Sequence, residues 1–148
     1  MSMRILLADD KPKVRFALRV LLGRQPESYI IDEAADAVEV LVQVMNTCPD
    51  MVLLAWDLPG LDELKLVGAL QRICPKVDII ALSGRSEARR EAIEAGVDAF
   101  VSKGDPPEQL LAAIKRCISE GPAKLESGAA KQTWKRKSGV SPRLSTST

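Results

Sequence analysis

Histidine is absent from all 148 residues of the chain. That removes the commonest general base and metal ligand, so a Ser-His-Asp hydrolase and a histidine-bound zinc hydrolase are excluded. Aromatic residues make up only 3%, which leaves an aliphatic core of Leu, Ile, Val and Ala. No apolar run approaches the ~18 residues that a membrane-spanning helix needs, and no secretory leader is evident. A cytoplasmic protein without a membrane partner is expected. There is no Cys-x-x-Cys pair, and three cysteines are an odd number. Cys48, Cys74 and Cys117 each fall near the end of a helical pattern, and all three read as small buried hydrophobes.

What is present is ordinary for a globular protein: 46% apolar and 28% charged residues. The length suits one domain with a proper core. The net charge of +1 hides a split. Residues 1–120 carry 15 basic side chains against 19 acidic ones, whereas residues 121–148 carry six against one. From 121 onward apolar periodicity disappears, and Ser, Thr, Lys, Gly and Pro dominate. That segment reads as a basic, flexible C-terminal tail after a domain over 1–120.

Within the domain, apolar runs alternate with helical stripes. Strands are expected over 4–8, 29–34, 51–56, 77–82 and 99–102, each a near-continuous apolar run of the kind a sheet covered on both faces requires. Between them lie stripes at i, i+3, i+4, i+7 spacing: Val14, Ala17, Leu18, Leu21 and Leu22, then Ala37, Val40, Leu41, Val44 and Met45. A third comprises Leu66, Val67, Leu70, Ile73 and Cys74. The fourth, over 86–95, has only a weak apolar face. The fifth carries Leu110, Ala113, Ile114, Cys117 and Ile118. Asp36 with Glu39 forms a capping-box pattern, and Asp105-Pro-Pro-Glu108 reads as a helix start with Asp105 as N-cap. Five βα repeats with right-handed crossovers make an α/β domain, a doubly wound five-stranded parallel sheet. A (β/α)₈ barrel needs about twice the length.

In such sheets ligands bind outside the carboxyl ends of the strands. Strand 1 ends in Asp9 and Asp10. Strand 3 ends near Ala55, with Asp57 two residues on. Strand 4 ends at Ser83, and strand 5 leads to Lys103. Clustered carboxylates want a counter-charge, either Mg²⁺ or the Lys103 ammonium. A hydroxyl and a lysine on neighbouring strands suit a phosphate-like oxyanion.

Four segments, Ile5-Leu-Leu-Ala-Asp-Asp10, Leu53–Gly60, Ala81-Leu-Ser-Gly84 and Ala95-Gly-Val-Asp-Ala-Phe-Val-Ser-Lys103, give the chain its resemblance to the receiver domains of two-component response regulators, the chemotaxis-response-regulator type with a flavodoxin-like fold. The resemblance spans residues 3–120. It implies a role in phosphorelay signal transduction rather than as an enzyme. It also implies Mg²⁺ at the acidic pair Asp9 and Asp10, phosphoryl contact by Ser83 and Lys103, and a rotamer switch at Phe100. The family's phosphoacceptor aspartate lies four residues before the proline of the Leu-Pro-Gly turn. Counting back from Pro59, that position is Ala55, and a methyl group can neither attack phosphorus nor ligate a metal.

The expectation is therefore an atypical receiver with an acidic pocket of Asp9, Asp10 and Asp57. Any Mg²⁺ would be held weakly, through Asp10 and Asp57, and none would be required. Asp57 could stand in for the acceptor only by a register slip; it has the side-chain parity of Ala55 but lies ~6–7 Å further along. The alternative is a conventional Mg²⁺-dependent acceptor whose aspartate was replaced at Ala55 or displaced to Asp57. The expected partner is a protein, a sensor kinase or an output protein, docking on the face of helix 4, strand 5 and helix 5, where Arg85, Arg89, Arg90, Glu91 and Glu94 gather. A homodimer is left open. The run Lys131-Gln-Thr-Trp-Lys-Arg-Lys137 would suit stacking on a base, but 28 residues are too few for a helix-turn-helix, so a nucleic-acid partner is not expected.

Overall fold

The structure is a computed structural model and describes residues 2–119. The expected tail over 121–148, with Trp134, lies outside the described residues. Five strands alternate with five helices: β1 (Met3–Ala8), α1 (Pro12–Gly23), β2 (Tyr29–Ala34), α2 (Ala37–Thr47), β3 (Met51–Ala55), α3 (Glu63–Ile73), β4 (Asp78–Ser83), α4 (Ala88–Ala95), β5 (Ala99–Ser102) and α5 (Pro107–Ser119). The strands form one parallel sheet in the order β2-β1-β3-β4-β5. Two compact units divide within α5, between Ala113 and Ile114. The first contains the sheet, α1 to α4 and the start of α5.

Strand parity sorts the two faces. Leu6 and Ala8, Val52 and Leu54, Ile79 and Ala81, and Phe100 join one buried cluster. Ala37, Val40 and Val44 of α2, Leu66, Val67 and Leu70 of α3, and Ala88 and Ala92 of α4 belong to the same cluster. Ile5, Leu7, Leu53, Ile80 and Leu82 point to the opposite face, where α1 crosses from β1 to β2 and buries Leu22. Both faces are dry, which is why the strand sequences do not alternate.

The capping box forms as expected. Asp36 Oδ1 accepts from the Glu39 amide at 2.9 Å, and Glu39 Oε1 accepts from the Ala35 amide at 2.7 Å. The expected cap at Asp105 does not form. Pro106 is followed by Pro107, and a residue before proline is pushed out of the helical region. Helix α5 therefore starts at Pro107, and Asp105 instead accepts from the Ser102 amide at 3.2 Å.

The reading of the cysteines is corrected for two of them. Cys48 and Cys74 form a disulfide, with Cα atoms 5.8 Å apart and a sequence separation of 26. Each ends a helix, α2 or α3, and each precedes a proline; the βα repeat brings these equivalent positions side by side. Cys74 is buried, but Cys48 is exposed. Cys48 has a φ of 45° and is the only non-glycine residue with positive φ among the described residues. That left-handed conformation costs roughly 1 kcal/mol in any residue with a Cβ. Closing a loop of this length is worth roughly 3 kcal/mol on chain-entropy grounds. Cys117 is buried, as expected.

Replacing Asp36 by Ala removes one half of the reciprocal cap at α2. A loss of about 1 kcal/mol of stability is expected, read as a lower urea midpoint at unchanged m-value.

Candidate functional site

The carboxyl ends of β1, β3, β4 and β5 converge on a cleft of about 300 Å³. Its lining includes Asp10, Ala55, Asp57, Ser83, Arg85 and Lys103. Parallel register does this: Ala8 pairs with Leu54, Ala55 with Leu82, and Ser83 with Ser102, so the strands end at one level.

Asp9 is 1% exposed. One carboxylate oxygen accepts from the Lys11 amide at 2.8 Å, and the other accepts from Lys103 Nζ, also at 2.8 Å. A buried carboxylate needs such partners, since an unpaired charge there would be costly. Lys103 is placed by its own backbone, whose N–H donates to the Ser83 carbonyl at 2.8 Å. The strand-1 end is braced from α1. Arg15 donates to the Asp9 carbonyl and, at 2.7 Å, to Glu33 on β2, which Arg19 also contacts. The hydrogen bond from Arg15, with help from Arg19, holds the Glu33 carboxyl below its ordinary value of 4.5 against the opposing effect of burial.

At β3, Ala55 is the last strand residue and is 5% exposed. The Leu58 amide donates back to the Ala55 carbonyl at 3.2 Å, so Trp56 and Asp57 lie in a turn and not in the strand. Gly60, with φ of 113°, lets this loop run against the start of α2; a Cβ there would come within 3.2 Å of the Ala37 nitrogen. Asp57 points outward, and its carboxylate accepts from the Arg85 guanidinium at 2.9 Å. That bond pushes the Arg85 pKa up. Ser83 is buried, and its hydroxyl oxygen accepts from the Arg85 amide at 3.0 Å. Asp10 is exposed, with Lys11 Nζ 3.6 Å away. Phe100 lies inward on β5, with the Arg89 guanidinium 5.0 Å from its ring centroid.

Two contributors, Arg15 and Trp56, were not singled out from the sequence, and a third, Arg85, was expected only on the partner-docking face. Arg85 neutralises Asp57. Arg15 braces Asp9. Trp56, opposite in parity to Ala55, is buried in the α2–α3–α4 layer and donates to Glu91 on α4 at 2.9 Å. Arg85 could have been found by its place two residues past the end of β4. Arg15 and Trp56 carry no pattern that separates them from ordinary surface and core residues.

The chemistry open to this arrangement is limited. A hydroxyl, an ammonium and a guanidinium border the cleft, but the residue between them offers only a methyl group. The carboxylates left for a divalent ion are Asp10 and Asp57, and Asp57 is engaged by Arg85. Among the described residues no three His, Cys, Asp or Glu side chains gather into a metal-holding group. Mg²⁺ asks for near-octahedral oxygen ligation, and Asp10 and Asp57 are the carboxylates lining the cleft that would supply part of it.

The response regulator receiver domain matches residues 5–115. The chain belongs to that family. The transcriptional activator protein ExaE of Pseudomonas putida is 33% identical over 132 residues, which is 88% of this chain and 61% of that protein. The chain thus spans about three fifths of that relative's length. Among solved structures, a LuxR-family two-component response regulator from Aurantimonas superimposes with a TM-score of 0.74 at 28% identity, covering 90% of this chain and 99% of that one. The response regulator TrrA of Thermotoga maritima, solved with Mg²⁺ and BeF, gives a TM-score of 0.70 at 28% identity, covering 78% and 98%. The fold and family expected from the four segments are those observed. Among the described residues no helix is long and apolar enough to cross a membrane.

Replacing Lys103 by Ala leaves Asp9 buried without its cation. Breaking a fully buried pair costs roughly 3–5 kcal/mol. Lys103 keeps 28% side-chain exposure, so a smaller loss of about 2 kcal/mol is expected, partly recovered in the Asp9→Asn/Lys103→Ala double variant. Glu33 gives a pH signature. Its lowered folded value means that its stabilisation is complete above 4.5 and is lost as pH falls through that folded value. Thermal melts across the acid range should therefore show a shallower acid decline in Glu33→Gln than in the parent.

Proposed function

We propose that this receiver domain signals through protein contacts without accepting phosphate at its strand-3 position. The observation that carries the reading is Ala55, which ends β3 inside the cleft where a nucleophilic carboxylate would have to stand. A methyl group forms no acyl phosphate. The surrounding charges are already matched: Lys103 with Asp9, and Arg85 with Asp57. The cleft therefore needs neither a phosphoryl group nor an ion for its electrostatic balance. Any Mg²⁺ binding through Asp10 and Asp57 is weaker than in a receiver with a third carboxylate, and none is required. Asp57 is not the substitute acceptor in this reading, since it lies outside the strand and is tied to Arg85.

Output runs through a protein partner, a sensor kinase or a downstream output protein, in the cytoplasm. The docking surface is the α4–β5–α5 face, which offers exposed Arg89, Arg90 and Glu94 beside the Arg89–Phe100 stack. The pairing of Arg89 with an inward Phe100, and of Glu91 with Trp56, favours one fixed arrangement of α4, which suits a module whose surface does not wait for phosphate.

The test is the Ala55→Asp variant, treated with a small acyl-phosphate donor and Mg²⁺. Labelling of the variant and not of the parent is the expected outcome. Labelling of the parent on Asp57 would overturn the assignment.

A further inference from the structure

We propose that the Cys48–Cys74 disulfide is a reversible redox site, reduced by a dithiol and reformed by a disulfide oxidant while the domain stays folded. It lies at the C-terminal ends of α2 and α3, away from the cleft at the carboxyl ends of the strands, and does not depend on the function proposed above.

The fold does not need the bond. Cys48 caps α2 through its amide, which donates to the Val44 carbonyl at 2.9 Å, and Cys74 caps α3 through an amide bond to Leu70 of the same length. Both are backbone interactions that survive reduction. Helices α2 and α3 share Ala37, Val40, Val44, Leu66, Val67 and Leu70 in one buried cluster, which holds them together without sulfur.

The bond is also reachable, and from one side. Cys48 is exposed and Cys74 is only 2% exposed. An incoming thiolate therefore attacks Sγ of Cys48, and Cys74 is the leaving sulfur. The reduced state has a place for that sulfur: Cys74 Sγ lies 3.7 Å from the Val44 carbonyl oxygen, within reach of an S–H hydrogen bond. The left-handed backbone at Cys48 adds a further point. Glycine would adopt it without strain, so cysteine there is favoured by its sulfur and not by its backbone.

The exchange balances. One thiolate of the dithiol bonds to Cys48 Sγ and expels the Cys74 thiolate, which takes up a proton. The second thiol then attacks the mixed disulfide and releases the Cys48 thiolate, which is protonated in turn. The dithiol ends as its cyclic disulfide, and the protein disulfide has gained two electrons and two protons. Oxidised glutathione reverses the change in two steps, releasing two molecules of glutathione.

The experiment uses the full chain, oxidised in air and then held in reduced dithiothreitol without denaturant. Far-ultraviolet circular dichroism is recorded, exchange is stopped with acid, and thiols are then alkylated in denaturant and located by peptide mass spectrometry. The expected result is alkylation at Cys48 and Cys74 only after reduction, with an unchanged folded spectrum and loss of both labels after oxidised glutathione. In a parallel arm, limiting reduced glutathione should form its mixed disulfide on Cys48, with the Cys74 thiol released. Three results would overturn the proposal: both thiols alkylated before reduction, a bond that resists the dithiol until urea is added, or unfolding on reduction. An adduct found on Cys74 would overturn the assigned direction of attack.

Discussion

Lys103 and Asp9 are 94 residues apart in sequence and 2.8 Å apart in space. Two strands, β3 and β4, stand between the strands that carry them. The pair closes because the register ends these strands at one level. The ion pair satisfies a carboxylate that burial would otherwise make costly. It also ties the residue that follows β5 to the residue that follows β1. The cleft is thus organised around a charge already neutralised.

Asp57 shows how the same residue type can differ in role by a displacement of two positions. Had β3 continued, its carboxylate would have shared the orientation of Ala55. The Ala55–Leu58 turn ends the strand first, and Arg85 takes the carboxylate into the β4–α4 loop. That contact is solvent-exposed and worth little in stability. Its effect is positional: it engages one of the two carboxylates lining the cleft, the other being Asp10, with a cation from the chain itself. Trp56 works in the opposite direction from its neighbours. Its indole lies on the other face, in the layer of α2, α3 and α4, and donates to Glu91 on α4, so the turn beside Ala55 is mechanically linked to the proposed docking face.

The disulfide has a separate logic. It belongs to the βα repeat, since the C-terminal ends of α2 and α3 occupy equivalent places in adjacent units. The helices around it are held by an aliphatic cluster and by amide caps. A cross-link added to an already satisfied structure acts chiefly on the unfolded chain, which is why it can open without loss of the fold.

Most of the architecture was legible from residues alone. Continuous apolar strands, helical stripes and the Asp36–Glu39 box are local signals, and each is set by a period or a spacing within one element. The four receiver segments and the Leu-Pro-Gly turn located Asp9, Ala55, Ser83 and Lys103 at strand ends, and the sheet brings them together there. The start of α5 was misjudged because Asp105 competes with the conformational rule of two successive prolines, and the prolines prevail. The partners of these residues were decided only in three dimensions. That Lys103 takes Asp9, that Arg85 takes Asp57, and that Cys48 meets Cys74 all depend on strand order and helix crossing. Those are long-range packing outcomes, and no spacing along the chain encodes the distance between two groups that the sheet later makes neighbours.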